Sequence, residues 1–430
     1  MPQSSTLKID RIENYLYTLL MVAFTMPLLP NFARNILLGL ITATTLFLFF
    51  KQPERSIKDY RMMIAGSALY ILYAVSLSYT ENMEIGLRKM ETGLSLLIIP
   101  IFSGLLPIAV IEKIKRNFSQ FLWVYIVSVT LTLIIFWCIF IEHYGMSLFQ
   151  HFPTVINKDL GPYNLHPIYL AMHGAVAILF SFYLLSKLKK KWAFAVLIFM
   201  SIIIACFMLI VIKKGPIISL VITALYLVFA YKNKSAIIAL TSICGLFICV
   251  IIFQPKVNRK FSELLNISGQ TSGEQMSSTN IRVAIFDCVN DIAPEAGLFG
   301  YGVGDAKDEL LKCYNEKNPT LAKYKYNTHN QFMSIFLRVG AIGAITFIVL
   351  MLFILYRLRK REAHLAIAVV SFYLLIMFSE NILERENGVL YFAFFTFVFY
   401  QVFKGKNKKS ISITPIDVTA AISKSDAQFS

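Results

Sequence analysis

Residues 192–212 read WAFAVLIFMSIIIACFMLIVI, an apolar run without a charged side chain. About 20 such residues are what one helix needs to cross the hydrocarbon core of a bilayer. The whole chain shares this character, because 57% of its 430 residues are hydrophobic and only 15% are charged. That composition is far from the one typical of a soluble domain. The sequence therefore predicts an all-α integral membrane protein.

Apolar runs of this kind recur and predict about twelve transmembrane helices, nine before residue 254 and three after residue 330. The predicted spans are 15–33, 35–50, 62–79, 93–111, 120–141, 165–186, 192–212, 216–231, 235–253, 331–356, 363–380 and 387–403. The fourth contains Pro100, Gly104 and Pro107, so a broken or re-entrant segment is the alternative there.

The basic residues predict how the chain is threaded. The formal net charge is +16, but the lysines and arginines fall in short clusters between apolar runs, which argues against nucleic-acid binding. With a cytoplasmic N-terminus, 23 of them lie on the inner side and only seven in the short outer connections, in agreement with the positive-inside rule. Residues 1–14 and a disordered tail, 404–430, are thus predicted to be cytoplasmic.

One outer connection is much longer than the others. Residues 254–330 are polar and link the ninth and tenth predicted spans, so we expect a small helical lid outside the membrane. A Ser-Thr-Asn run at 278–280 can cap a helix of about fourteen residues that ends before Pro294.

The remainder of this loop contains a glycine turn at 300–304, after which Asp305 can open a second helix through about Lys317. Cys288 and Cys313 are both in the loop. Free thiols and a disulfide are both open, since disulfides persist only in oxidising compartments.

Two lysines, Lys213 and Lys214, separate spans seven and eight on the predicted outer side. One interpretation is a short turn whose lysines extend to lipid headgroups. The other follows from Gly215 and Pro216, which open the next helix, because a lysine beside free N–H groups at a helix start can bind an anion.

A third cation is Arg282, in SSTNIRVAIFD. It is either an ordinary solvated arginine or part of an amphipathic helix whose Val283, Ile285 and Phe286 lie on the membrane surface. The second arrangement would hold a guanidinium near the headgroups, where it matches phosphate oxygens in a two-pronged fashion.

A histidine lies at the start of the tenth span, in YNTHNQFMSIFLRVGAIG at 326–343. Thr328 or Asn327 can cap that helix, which would place His329 and Asn330 in its first turn at the outer surface. Neutral imidazole can accept a proton or orient a hydroxyl. A purely structural histidine is the alternative.

These motifs together resemble the signature of the O-antigen ligase and O-antigen polymerase superfamily of bacterial membrane glycosyltransferases. The matching elements are Lys213-Lys214-Gly215 in the place of Ser-Arg-Gly, Arg282-x-x-x-Phe286 for Arg-x-x-x-Trp, the glycine turn 300–304, Asn327-x-His329-Asn330 with Leu337 and Gly340-x-x-Gly343, and the acidic stretch from Glu380 to Leu390. The resemblance covers roughly residues 165–400. Lysine at 214 and phenylalanine at 286 depart from the pattern.

The resemblance implies transfer of a glycan from undecaprenyl diphosphate, a polyprenyl-diphosphate carrier, to an acceptor hydroxyl such as that of lipid A core. The reaction would take place at the periplasmic face of the bacterial inner membrane, and would invert the anomeric centre. The implied catalytic residues are His329, Arg282 and Lys214. The implied substrate-binding residues are Lys213, Asn330, His166 and Arg88. No Asp-x-Asp motif is visible on the outer side, so fixed cations are predicted to stabilise the diphosphate, with no metal and no cofactor.

Two alternatives are open. A polymerase of O-antigen, capsule or exopolysaccharide belongs to the same superfamily and differs only in its acceptor. A multi-span transporter or lipid-linked glycan flippase is a different class, disfavoured because the sequence lacks related halves with broken helices at mid-depth.

Overall fold

The computed structural model describes residues 3–145, 166–188, 190–211, 213–232, 234–253, 255–262 and 278–404. The helices are α1 (Gln3–Ala23), α2 (Asn31–Lys51), α3 (Tyr60–Ser76), α4 (Met83–Gly93), α5 (Ser95–Leu105), α6 (Ile108–Arg116), α7 (Phe118–Tyr144), α8 (Pro167–Leu185), α9 (Lys191–Val211), α10 (Lys214–Tyr231), α11 (Lys234–Phe253), α12 (Pro255–Ser262), α13 (Ser278–Ala296), α14 (Ala306–Lys317), α15 (Pro319–Tyr324), α16 (Gln331–Arg359), α17 (His364–Met377), α18 (Glu386–Ala393) and α19 (Phe399–Lys404). The predicted disordered tail, beyond Lys404, lies outside the described residues.

Within the described ranges, seven helices are long and apolar enough to cross a membrane. They are α2, α3 with the turn that follows it, α7, α8, α9, α10 and α16. The apolar α17 is shorter, with 14 residues. The all-helical, membrane-embedded fold is therefore supported, whereas the count of twelve spans stays a prediction.

Proline explains two departures from the predicted spans. The span predicted at 15–33 is not one helix, because α1 ends before Pro27 and α2 begins directly after Pro30. The span predicted at 93–111 is divided before Pro107 into α5 and α6, each too short to cross a bilayer at 1.5 Å per residue. The broken form was the alternative predicted for that segment.

The central element is α8, whose side chains are almost all buried. It packs against α7, α9, α10 and α17. Its mean hydropathy of 1.9 is lower than the 3.1 of α9, which is far less buried. Small and polar side chains such as Gly174 and Ser181 suit a helix that contacts other helices rather than lipid.

Helix termini collect at two opposite ends of the bundle, because α8, α10 and α17 pack side by side. At one end, Gly215 in the first turn of α10 packs against Ser379, which follows α17. At the other end, the ring of Tyr231 lies 5.7 Å from that of His364 at the start of α17. We refer to these as the Ser379 end and the His364 end; the 18 residues of α10 separate them by roughly 27 Å.

The long loop folds against a break in α16. The backbone of Gly340 is left-handed, with φ of +63°, and interrupts the helix. There the Tyr301 N–H donates to the Leu337 carbonyl (2.8 Å) and the Ala341 N–H donates to the Gly297 carbonyl (3.0 Å). The loop between α13 and α14 thus satisfies the backbone groups that the break would leave without partners.

The glycine turn at 300–304 is needed for this close approach. A Cβ atom on Gly300 would lie 2.4 Å from the Arg338 carbonyl carbon, and one on Gly304 would lie 2.3 Å from the Asn82 carbonyl oxygen. Only glycine allows the backbones to come this near. The turn therefore has a structural role in this fold.

The structure bears on three expectations for the loop. Helix α13 continues past Pro294 to Ala296, although the proline leaves the carbonyl four residues earlier without its helical hydrogen bond. The predicted helix after Asp305 is confirmed as α14. Cys288 and Cys313 form a disulfide that joins α13 to α14, with Cα atoms 5.8 Å apart.

Candidate functional site

His329 lies in a strained turn directly before α16. Its backbone is left-handed, with φ of +45°, and its N–H donates to Asn327 Oδ1 at 3.1 Å. The predicted cap was wrong, because Asn330 is the N-cap and accepts from the N–H groups of Phe332 (3.0 Å) and Met333 (3.2 Å). The histidine therefore precedes the helix, and such strained residues concentrate at functional sites.

Glu380 connects the histidine to the arginine. Arg282 Nη2 lies 3.2 Å from Glu380 Oε1 and also donates to the Ser379 carbonyl at 3.3 Å. On the other carboxylate oxygen, Glu380 Oε2 lies 3.5 Å from His329 Nδ1. All three side chains are about one quarter exposed (27%, 25% and 25%), so they are shielded but open to a ligand.

The two lysines between α9 and α10 lie in the chain next to a residue that packs against Ser379. Lys213 precedes α10 and Lys214 is its first residue, and both are half-buried. The next residue is packed so closely that a Cβ atom on Gly215 would lie 2.8 Å from Ser379 Oγ. The three predicted motifs therefore meet at Ser379 and Glu380.

Electrostatic effects also indicate that these groups are near one another. Burial is the largest effect on Glu380 and opposes its charge, but His329, Arg282 and Lys213 outweigh it and lower the pKa of this carboxyl. Burial, with a further contribution from Lys213, lowers the pKa of His166 to about 4. His166 caps α8 and is thus a neutral imidazole at the edge of a cationic site.

A second carboxylate, Glu384, is buried behind the first. Its partners are Ser334 Oγ (2.6 Å), Asn381 Nδ2 (2.6 Å), Arg338 Nη2 (2.9 Å) and Lys89 Nζ (3.3 Å). Burial opposes the negative charge most strongly, yet the two cations and the two hydrogen bonds hold the pKa of Glu384 well below its usual range.

Further buried hydrogen bonds fix this acidic loop to the start of α16. Asn381 Nδ2 donates to Thr328 Oγ1 at 2.8 Å, and the Leu383 N–H donates to Gln331 Oε1 at 2.8 Å. These hydrogen bonds join the loop that carries both carboxylates to the segment that carries His329.

Two of the predicted substrate-binding residues, Arg88 and Asn330, have other partners in the structure. Arg88 lies on an exposed face of α4, where it pairs with Glu84 at 2.5 Å, while the neighbouring Lys89 turns inward to Glu384. Asn330 is buried and its side chain caps α16.

The sequence prediction did not assign a role to Glu380, Glu384 or Arg338. A signal was present for Arg338, because a charge inside an apolar run such as 331–356 is a candidate functional group by itself. For the glutamates the only signal was the acidic stretch next to the last helix. Their relation to His329 depends on folding and could not be read from spacing.

The arrangement places an imidazole, a guanidinium and the charge of Lys213 around the Glu380 carboxylate, with Lys214 next along the chain. Residues 213–348 match the family model Wzy_C, described as O-Antigen ligase. Over this segment the chain is similar to the O-antigen ligase family. The predicted resemblance to the superfamily is confirmed. The O-antigen ligase segment begins at Lys213 and contains Arg282 and His329, whereas His166 and Glu380 lie outside it. Comparison with curated proteins found no match.

Proposed function

We propose that this chain is a lipid-linked glycan transferase of the O-antigen ligase type. It would move a glycan from undecaprenyl diphosphate to an acceptor hydroxyl, with lipid A core as the favoured acceptor. The observation that carries this proposal is the meeting of Arg282 and His329 at Glu380, at 3.2 and 3.5 Å, beside the Lys213-Lys214 pair. The family match over residues 213–348 supports the same reaction class.

In this proposal the cations hold the leaving group. Breaking the bond between the sugar and the diphosphate leaves negative charge on phosphate oxygens, which fixed positive groups stabilise most when they are already in place. Arg282 would contact these oxygens in a bidentate manner, and Lys213 and Lys214 would supply further charge next to the α10 N-terminus. The required positive charge comes from side chains in this proposal, so the reaction is metal-independent.

The imidazole of His329 accepts the proton of the acceptor hydroxyl in this proposal. With Nδ1 of His329 directed at Glu380, Nε2 is the nitrogen left to take the proton from the acceptor hydroxyl. The oxygen then attacks the anomeric carbon as the diphosphate departs from the opposite face, which inverts the configuration. Glu380 is a positioning residue here, because it orients both the imidazole and the guanidinium.

The Ser379 end of the bundle is proposed to face the periplasm of a bacterial inner membrane, with both termini cytoplasmic. Two observations support this orientation. The disulfide between Cys288 and Cys313 belongs to an oxidising compartment. The basic clusters between the predicted spans belong on the cytoplasmic side, and those that end α16 and α19 lie at the His364 end.

The test is His329→Ala in purified protein, assayed for glycan transfer. Loss of a general base lowers the rate roughly 10²- to 10⁴-fold, while membrane insertion and the unfolding temperature should change little because the side chain is not part of the core. Lys323→Ala, an exposed change on α15, is the matched control and should keep full activity. Complete transfer by His329→Ala would remove the histidine from the mechanism.

Ligase and polymerase activity are distinguished in a deletion strain. Free lipid A core together with long glycan left on the carrier would indicate a ligase. A single repeat joined to the core would indicate the polymerase of the same superfamily.

A further inference from the structure

A cavity of about 510 Å³ lies at the His364 end of the bundle, opposite the candidate site. Four cationic side chains line it: Lys115 in the last turn of α6, Lys187 after α8, and Lys360 and Arg361 after α16. Glu362 is the one carboxylate among the lining residues. The cations come from three separate segments of the chain, so the fold brings them together.

The ion pairs of the described residues do not include these four cations. Within the described ranges, none of the four forms an ion pair with a carboxylate within 4.0 Å. Lys187 instead lies over the ring of Tyr183, 6.0 Å from its centroid. Burial lowers the pKa of Lys115; Glu112 opposes this shift and the charge of Arg361 adds to it. Four cations with one carboxylate among the lining residues leave a net positive charge, which attracts an anion.

The walls of the cavity are aromatic and apolar between the charges. The ring of Tyr183 lies 5.8 Å from that of Tyr231, which in turn lies 5.7 Å from the His364 ring. Phe118 and Leu365 complete this surface. A cationic rim above an apolar wall at the end of apolar helices matches an amphiphile whose head is anionic.

A simpler interpretation assigns each cation to the end of a helix. Lysines and arginines in the last turn of a helix interact favourably with its dipole, and cytoplasmic loops are basic in general. That interpretation explains single charges on the surface. It does not explain why four of these cations line one cavity of about 510 Å³.

We propose that this cavity binds a phosphate-bearing anion, with Lys115, Lys187 and Arg361 around the phosphate and the tyrosine rings along the adjoining apolar part. Two sources offer this chemistry, the headgroup of an anionic phospholipid and a soluble phosphate. The inference is independent of the proposed glycan transfer, since it concerns the opposite end of the molecule.

The experiment compares unfolding temperatures of the full chain purified in detergent, with phosphatidylglycerol, phosphatidylcholine or inorganic phosphate added. Phosphatidylglycerol should raise the midpoint of the native protein, and phosphatidylcholine should not. The double variant Lys187→Gln/Arg361→Gln should need roughly tenfold more phosphatidylglycerol for the same shift of the midpoint. This is the scale expected when two charges near an anionic headgroup are removed. If the double variant does not fold, the single variant Lys187→Gln is used in its place.

The matched control is Lys51→Gln/Arg359→Gln, which removes two exposed charges at the ends of α2 and α16 that do not line the cavity. It should respond to phosphatidylglycerol as the native protein does. A shift with inorganic phosphate that the cavity variant loses would identify a soluble phosphate as the ligand. The proposal would be overturned if both double variants lost the phosphatidylglycerol shift to the same extent. It would also be overturned if neither phosphatidylglycerol nor inorganic phosphate shifted the midpoint of the native protein.

Discussion

Arg338 and Glu384 form an ion pair inside the protein, with Nη2 and Oε1 2.9 Å apart and side chains that are only 6% and 10% exposed. The arginine comes from the helix that follows His329, and the glutamate from the loop that carries Glu380. The pair therefore joins the two segments whose relative position defines the candidate site.

Arg338→Met should destabilise the protein by about 3 kcal/mol or more, because it leaves a buried carboxylate without its closest cation. Thermal unfolding in detergent measures the effect, with Arg359→Met on the exposed end of the same helix as control. Adding Glu384→Gln to Arg338→Met should restore part of the loss. A double variant that is less stable than the single one would contradict the pairing.

The low pKa of Glu384 predicts a dependence of stability on pH. Its folded pKa is below the unfolded value of about 4.3, so the carboxylate stabilises the fold above that pH and the contribution falls as pH decreases further. Unfolding midpoints of native protein should therefore drop between about pH 5 and pH 3 more steeply than those of Glu384→Gln. The exposed change Glu316→Gln should follow the native curve, and parallel curves for native and Glu384→Gln would refute the prediction.

Glu380→Gln should lower the rate of glycan transfer roughly ten- to hundredfold, as is usual when a partner that orients a reactive histidine is changed. The amide keeps the size of the side chain but cannot hold two cationic groups. Steady-state kinetics should show the loss mainly in kcat. Asp287→Asn, an exposed change on the same helix as Arg282, is the control. Unchanged kcat in Glu380→Gln would mean that the carboxylate has no positioning role.

Gly340→Ala should destabilise the protein by roughly 1–3 kcal/mol, because the backbone is left-handed and the added Cβ would lie 2.2 Å from the Leu298 carbonyl carbon. Gly39→Ala in α2 is the matched control, since no atom lies within 4 Å of a Cβ there. That change should be neutral or stabilising. Equal unfolding midpoints for the two variants would show that the loop does not depend on the break in α16.

Replacing both Cys288 and Cys313 by serine should cost about 2–4 kcal/mol of stability, the range usual for a native disulfide. In the unchanged protein, a maleimide that cannot cross membranes should label neither cysteine until a reductant is added. Labelling without reductant would show that the two thiols are free.

The broad fold follows from the sequence because apolar length and proline act locally. The apolar run at 192–212 predicts α9, and Asp305 predicts the start of α14. The contact between Arg282 and Glu380 could not be predicted in this way, since it joins residues 98 positions apart. The cap of α16 was missed for a different reason: Asn327, Thr328 and Asn330 all have cap-forming side chains, and only the folded loop shows that Asn330 is used.

The backbone hydrogen bonds between the long loop and α16 limit how this molecule can exchange its substrates. A segment that completes the broken helix of its neighbour cannot swing away as a hinged cover without exposing polar groups of both. In the proposed reaction, a bulky lipid-linked sugar would then enter from the side, between helices, while the loop keeps its position.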